Sequence, residues 1–128
     1  MELIVAPGSY AVCRLADLAA LAGVPHDRRS PTFLAVTPDE VSLVCPSDTV
    51  PPHYLAVEDG WALLRVDGQL DFGLVGIIAE LSRALADAGV PIFVQSTYLT
   101  DYVLVKQDRL PDATAALTAA GHRVADAR

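Results

Sequence analysis

The sequence predicts an α+β fold of two β-α-β-β-α-β lobes in tandem, the first one eroded, each an antiparallel sheet with helices on one face. Three observations predict it. Between Trp61 and Lys106 the apolar spacing passes from a period of two to a period of 3.6 and back to two. A second helical stripe follows from Leu110. Ahead of Trp61 the chain offers strands in the same order, but prolines occupy the place of one helix.

Glu2 to Ala6 is a short apolar strand, Pro7-Gly8-Ser9 punctuates it, and Tyr10 to Leu15 continues as an alternating strand, the two forming one bent strand or a tight hairpin. Ala16 to Ala22, rich in alanine and leucine and closed by Gly23, reads as a helix of about two turns, too short to persist without packing on a sheet. Val24 to Pro31 is a polar loop whose Arg28 and Arg29 read as solvated surface. Thr32–Val36 and Val41–Cys45 flank Thr37-Pro38-Asp39-Glu40, where proline suits the second position of a type I turn and predicts a hairpin. Pro46 to Pro52 leaves no room for a helix. Tyr54 to Val57 is a short strand, and Glu58-Asp59-Gly60 is read as a turn into Trp61. The lobe boundary is placed there, giving a degenerate lobe over residues 1–60 and a complete one over residues 61–128. Direct identity between the halves is slight, so the repeat is inferred from element order together with the family resemblance given below.

In the second lobe Ala62, Leu64 and Val66 share one strand face, and Asp67-Gly68 ends it. Leu74, Ile77, Ile78, Leu81, Leu85 and Ala88 then form the stripe of a helix lying on a core, with Asp71 placed to cap its first turn and Gly89-Val90-Pro91 to stop it. Ile92–Val94 and Tyr102–Lys106 are strands joined by the polar turn Ser96 to Asp101. Leu110-Pro111-Asp112 opens a second helix with Leu110, Ala113, Leu117 and Ala120 on one face, Gly121 ends it, and His122–Val124 is a closing strand. This is the ferredoxin-like order, two helices over one face of four antiparallel strands.

The runs Leu70-Asp71-Phe72-x-Leu74-Val75-Gly76-Ile77, Ile92-Phe93 and Ser96-Thr97-Tyr98-x-Thr100-Asp101-Tyr102-x-Leu104-Val105 resemble the second half of small ACT-domain proteins, of the branch similar to the CASTOR arginine sensors. Pro31-Thr32-Phe33 and Thr37 through Cys45 resemble the first half of the same proteins. The resemblance implies tandem ACT lobes that act as a regulatory, allosteric sensor. It also implies an amino acid bound at the interface between two lobes, one giving a loop-to-helix segment and the other a strand or hairpin. A homodimer through the C-terminal lobe follows from it as well.

Composition narrows the classes of function. With 52% hydrophobic and 20% charged residues over 128 positions, apolar surface beyond one core is best buried in an oligomer. A net charge of −7 repels phosphate backbones and disfavours nucleic acid. No apolar run approaches the roughly 20 residues of a membrane span, and Met1-Glu2-Leu3 lacks a signal-peptide pattern, so a cytoplasmic protein is expected. Cys13 and Cys45 sit among apolar strand neighbours and read as buried reduced thiols. His26, His53 and His122 have no partner at ligand spacing, and Ser96 lacks a nucleophile context, so no catalytic residue, metal site or cofactor is expected.

A binding site is the better expectation. Gly73 and Gly76 allow close backbone approach, and the free amides of the helix start, through Leu74 and Val75, suit a carboxylate. Asp101 suits an ammonium, helped by Thr100 and by carbonyls of Thr97, Tyr98 and Leu99, with Ser96 at the edge of the turn. In the arginine sensors an acidic residue near the start of the first helix also holds the ligand; Phe72 to Val75 supplies none, and Asp71 is read as the cap. The expected ligand is thus an amino acid of unspecified side chain. A protein-pairing module with a degenerate pocket is the alternative.

Overall fold

Polar punctuation divides the described residues into strands β1 (Glu2–Val5), β2 (Tyr10–Leu15), β3 (Phe33–Val36), β4 (Val41–Pro46) and β5 (Tyr54–Val66), helix α1 (Ile77–Asp87), strands β6 (Phe93–Ser96) and β7 (Asp101–Lys106), helix α2 (Leu110–Ala119) and strand β8 (Arg123–Asp126). The computed structural model describes residues 1–25, 27–68 and 73–127; His26, residues 69–72 and Arg128 lie outside it, and with them Asp71, expected as helix cap and ligand contact. The described chain forms two compact units, one of Met1–Pro7 with Ala62–Arg128 and the other of Gly8–Trp61. The division expected at residue 60 thus falls beside Trp61, whereas the first seven residues cluster with the C-terminal unit.

Hydrogen bonding explains that placement. In the C-terminal unit the strands run in the order β6-β7-β5-β1-β8. β1 lies antiparallel to β5, with Leu3 opposite Val66, and parallel to β8, with Leu3 opposite Val124. The ferredoxin-like set is β5, β6, β7 and β8, and β1 enters it as a fifth strand. The hairpin or bent strand expected of β1 and β2 does not form, because β2 pairs with β4 and the first part of β5 instead. On one face of this sheet Ala62, Leu64, Val66, Val103 and Val105 pack against Leu81 and Leu85 of α1 and Ala113 and Leu117 of α2. Each of these larger apolar side chains contributes roughly 1.5–3 kcal/mol on burial, which holds both helices to the same face.

The N-terminal unit keeps the order β3-β4-β2-β5, all antiparallel, which is the same strand order without the inserted fifth. Among its described residues no α-helix forms. The helix expected over Ala16 to Ala22 is reduced to a 3-10 turn at Leu18–Leu21, with no side-chain cap and no buried residue. Between β4 and β5 only a 3-10 turn at Ser47–Thr49 forms. The turn expected at Glu58 to Gly60 is instead a bulge within β5: the register against β2 shifts between Tyr10 and Val12, and Gly60 takes a positive φ of 81°. The Asp59 carboxylate holds the bulge, accepting from the Gly60 amide at 2.8 Å and from the Ser47 hydroxyl at 2.5 Å.

Two stretches of the chain follow one template. Strand Tyr-Ala-Val-Cys-Arg-Leu (β2) matches Trp-Ala-Leu-Leu-Arg-Val at an offset of 51, and the stretch from Phe33 to Pro51 matches Phe93 to Pro111 at an offset of 60, with Thr37 on Thr97 and Asp48 on Asp108. Buried sheet positions coincide as well: Ala11, Cys13, Leu15, Leu43 and Cys45 stand where Ala62, Leu64, Val66, Val103 and Val105 stand. The first connection is 17 residues (16–32) against 26 (67–92), and the second is 7 (47–53) against 16 (107–122), nine fewer each time. Nine residues are about two and a half helical turns, or about 13 Å of helix.

Candidate functional site

Gly76 decides where α1 begins. Its φ of 82° is a left-handed conformation outside the helix, so the helix starts at Ile77 and not at Leu74. Gly76, at the N-cap position, has no side chain to cap this end, and the first intrahelical bond runs from the Glu80 amide to the Gly76 carbonyl at 2.9 Å. The amides of Ile77, Ile78 and Ala79 therefore have no acceptor within the helix.

The β6–β7 turn faces this end. Thr97 closes the turn twice on the Thr100 carbonyl, through its amide at 2.9 Å and its hydroxyl at 3.2 Å. Thr100 is only 5% exposed and donates its hydroxyl to the Val66 carbonyl at 2.7 Å, tying the turn to the end of β5. The Ser96 hydroxyl donates to Oδ1 of Asp101 at 2.6 Å. One carboxylate oxygen is thus held while the other keeps its accepting capacity.

Between these two pieces lies a cavity of about 330 Å³ lined by Leu74, Gly76, Ile77, Ile78 and Ala79 on one side and by residues 97–101 on the other. All of the lining belongs to the C-terminal unit. The geometry brings together Leu74, Gly76, Thr97, Tyr98, Leu99, Thr100 and Asp101 of the expected set. Gly73, Val75 and Ser96 are not on the wall: Val75 is 92% exposed, and Ser96 acts through Asp101. Ile77, Ile78 and Ala79 were not expected there. Their apolar spacing marks them as helix, and only the positive φ of Gly76 makes them its first turn. Among the described residues, Asp101 is the only carboxylate lining the cavity, and the amides of α1 stand at the other wall. The arrangement offers amides to an anionic group at one wall and a carboxylate to a cationic group at the other.

His122 is buried at the end of α2; the Met1 amino group donates to its Nδ1 at 3.0 Å, and its Nε2 stands 3.5 Å from Oε1 of Glu80. Cys13 faces Leu43 across β2 and β4 while Cys45 faces Ala11, so the two buried thiols are diagonal neighbours on one sheet face. Burial, then the adjacent Cys45, pushes the Cys13 thiol up to about 12. The described residues contain no cluster of three or more metal-ligating side chains, and none of their helices is long and apolar enough to cross a membrane.

A β-α-β-β-α-β unit beside a second sheet of the same strand order defines the class: an α+β fold of ferredoxin-like units. The chain belongs to the ACT domain family, which it matches over residues 56–119. It is similar to the crystal structure of protein Atu0741 from Agobacterium tumefaciens, at 30% identity and a TM-score of 0.83, covering 99% of this chain and 93% of that one. The fold is shared with a protein of unknown function from Vibrio cholerae, described as a possible transport protein, at 19% identity and a TM-score of 0.71, over 93% of this chain and 88% of that one. It is also shared with the ligand-free regulatory subunit of aspartate kinase from Thermus thermophilus, at 14% identity and a TM-score of 0.63, over 94% and 97% of the two chains.

Proposed function

We propose that the C-terminal unit binds a free amino acid with a neutral, apolar side chain and that the protein is a regulatory module. The observation that carries this reading is the cavity whose walls are the first turn of α1, entered through Gly76, and the Thr97–Asp101 turn. The α-carboxylate accepts from the amides of Ile77 to Ala79, and the α-ammonium donates to Asp101. Leu74, Ile78 and Leu99 surround the side chain, and no described lining residue but Asp101 offers a carboxylate to a guanidinium, so arginine, the ligand of the sensors that the sequence resembles, is disfavoured. A volume near 330 Å³ is at the small end of ligand pockets and suits a single amino acid. Membership of the ACT family, and the fold shared with a regulatory subunit, support the regulatory role.

Leu74, Val75, Tyr98 and Leu99 are exposed apolar groups around the same cavity, Tyr98 at 73%. They support pairing of this unit with its copy in a second chain across the cavity mouth. The experiment is a thermal shift across the twenty amino acids. At a hundredfold excess over Kd, binding adds about 2.7 kcal/mol, which for this length is a rise of about 10 °C. A flat profile with all twenty would remove the ligand and leave the pairing module as the reading.

A further inference from the structure

The outer strands of the two units are built differently. In the C-terminal unit β8 carries Arg123 and Asp126 and β6 carries Gln95 and Ser96, polar side chains of the kind that discourage further pairing. In the N-terminal unit the outer strand β3 is Phe-Leu-Ala-Val, with Leu34 47% and Val36 56% exposed. The phase of its ladder follows from two bonds. The Thr37 amide donates to the Glu40 carbonyl at 2.9 Å, and bonded pairs alternate along an antiparallel ladder, so Ala35 bonds Ser42 and Phe33 bonds Val44. Across β4 the Ser47 amide donates to the Ser9 carbonyl at 2.9 Å, which leaves Cys45, Leu43 and Val41 to bond β2, in the same phase. The N–H and C=O groups of Leu34 and Val36 therefore point out of the sheet, as do those of Thr32 in the same phase, and among the described strands β3 pairs only with β4.

We infer that β3 pairs with β3 of a second copy of this chain, antiparallel about a two-fold axis at Leu34. The segment is complementary to itself. Ser30 to Pro38 carries no charge, Arg28 and Arg29 stand ahead of it, and Asp39 and Glu40 stand behind it. Two copies laid antiparallel bring the basic end of each to the acidic end of the other, whereas a parallel pair would set acid against acid. With Leu34 on the axis it bonds its own copy, and Val36 bonds Thr32 of the partner subunit, so the outward groups of all three residues are met. Phe33 then falls opposite Ala35 of the partner subunit in the narrow, non-bonded position, a large side chain against a small one. Leu34 and Val36 lie on the side of Leu43 and Val41, so their apolar row continues across the axis. This contact uses the N-terminal unit and shares no residue with the pairing proposed across the cavity mouth.

The test uses the full chain in a Tyr98→Ser, Leu99→Ser background, which silences the other proposed contact. Leu34→Cys sets one thiol beside its copy with Cα atoms about 5.5 Å apart, within the span of a disulfide. Diamide should convert it to a covalent dimer on a non-reducing gel. The parent, whose two cysteines are buried, should stay single, and so should Leu55→Cys, an exposed position on β5 of the same unit. Sedimentation equilibrium should show reversible dimers that Leu34→Lys weakens about tenfold or more, since it places like charges face to face on the axis. Arg28→Glu and Glu40→Arg should each weaken them about two- to fivefold, and the two together should restore them. Hydrogen exchange by NMR gives a residue-level reading: the Val36 amide should exchange about tenfold faster in Leu34→Lys than in the parent, while the Ala35 amide, bonded within the sheet, should not change. Circular dichroism checks folding of each variant. A monomer up to about 1 mM would overturn the inference. So would equal cross-linking of Leu55→Cys, a Leu34→Lys protein as associated as the parent, or a Val36 amide that exchanges alike in both.

Discussion

Thr100 offers the sharpest test of how the site is held. Along β5 the residues that bond to β1 are the odd ones: Leu63 accepts from the Ala6 amide at 2.8 Å, and the amide of Asp67, just past the strand, donates to Glu2 at 2.8 Å. Val66 therefore turns its carbonyl to the opposite side, where β7 begins only at Asp101, and the Thr100 hydroxyl at 2.7 Å takes the place of a strand donor. Thr100→Val keeps the side-chain shape and removes that donor. A buried carbonyl left without a partner costs about 1–3 kcal/mol. At about 2.1 cal/mol/K per residue over the chain, this lowers the melting temperature by about 4–11 °C. Thr100→Ser keeps the hydroxyl and should lose less than half as much. Circular dichroism melts of the three proteins decide it: a Thr100→Val melt within about 2 °C of the parent, or a serine variant as unstable as the valine one, would refute the assignment.

Asp101→Asn should abolish the amino-acid thermal shift with little change in basal melting, since the amide oxygen still accepts from Ser96, and calorimetric titration of the responding amino acid checks it. Leu81→Ala, at a fully buried position between helix and sheet, should cost about 2–5 kcal/mol in urea unfolding. The Cys13 thiol is raised from 9.0 to about 12 in the fold, so folding binds the thiol proton more tightly and its contribution is intact below pH 9 and lost as pH climbs towards 12. Urea midpoints should therefore fall between pH 8.5 and roughly 11, less steeply in Cys13→Ala, and iodoacetamide at pH 8 should label Cys13 and Cys45 only after unfolding.

What the sequence discloses depends on the range of the interaction. The α2 stripe, the Thr37–Glu40 and Ser96–Asp101 turns and the strands around them were legible, because periodicity and turn chemistry are local. The fifth strand was not: Glu2 to Ala6 reads as a strand, but the pairing of Leu3 with Val124, far along the chain, leaves no local mark. Glu58-Asp59-Gly60 misled for a related reason, since an Asp-Gly step serves a turn and a bulge alike, and the bond from Ser47 across the unit selects the bulge. In the site the two facing segments were legible, but the start of α1 was set one turn early, which hid the role of Ile77 to Ala79. A glycine at the end of an apolar stripe can be interior or cap, and only the backbone angle separates the two.

The internal template adds a constraint that neither unit gives alone. Thr37 closes its turn on the Glu40 carbonyl through amide and hydroxyl at 2.9 and 3.3 Å, the same pair of bonds that Thr97 makes to Thr100. The hairpin is thus preserved in both units. At the position of Thr100, however, the N-terminal unit has an exposed Glu40, and at that of Asp101 it has Val41. Among the described residues the chain beside this turn forms only the 3-10 turn at Leu18–Leu21, so no α-helical first-turn amides stand there to meet a carboxylate. With the same turn but neither the amides nor the matching acid, the N-terminal unit cannot hold a zwitterion by the contacts proposed for its counterpart. Small-ligand stoichiometry should accordingly be one per chain, and two equal amino-acid sites by calorimetry would contradict it.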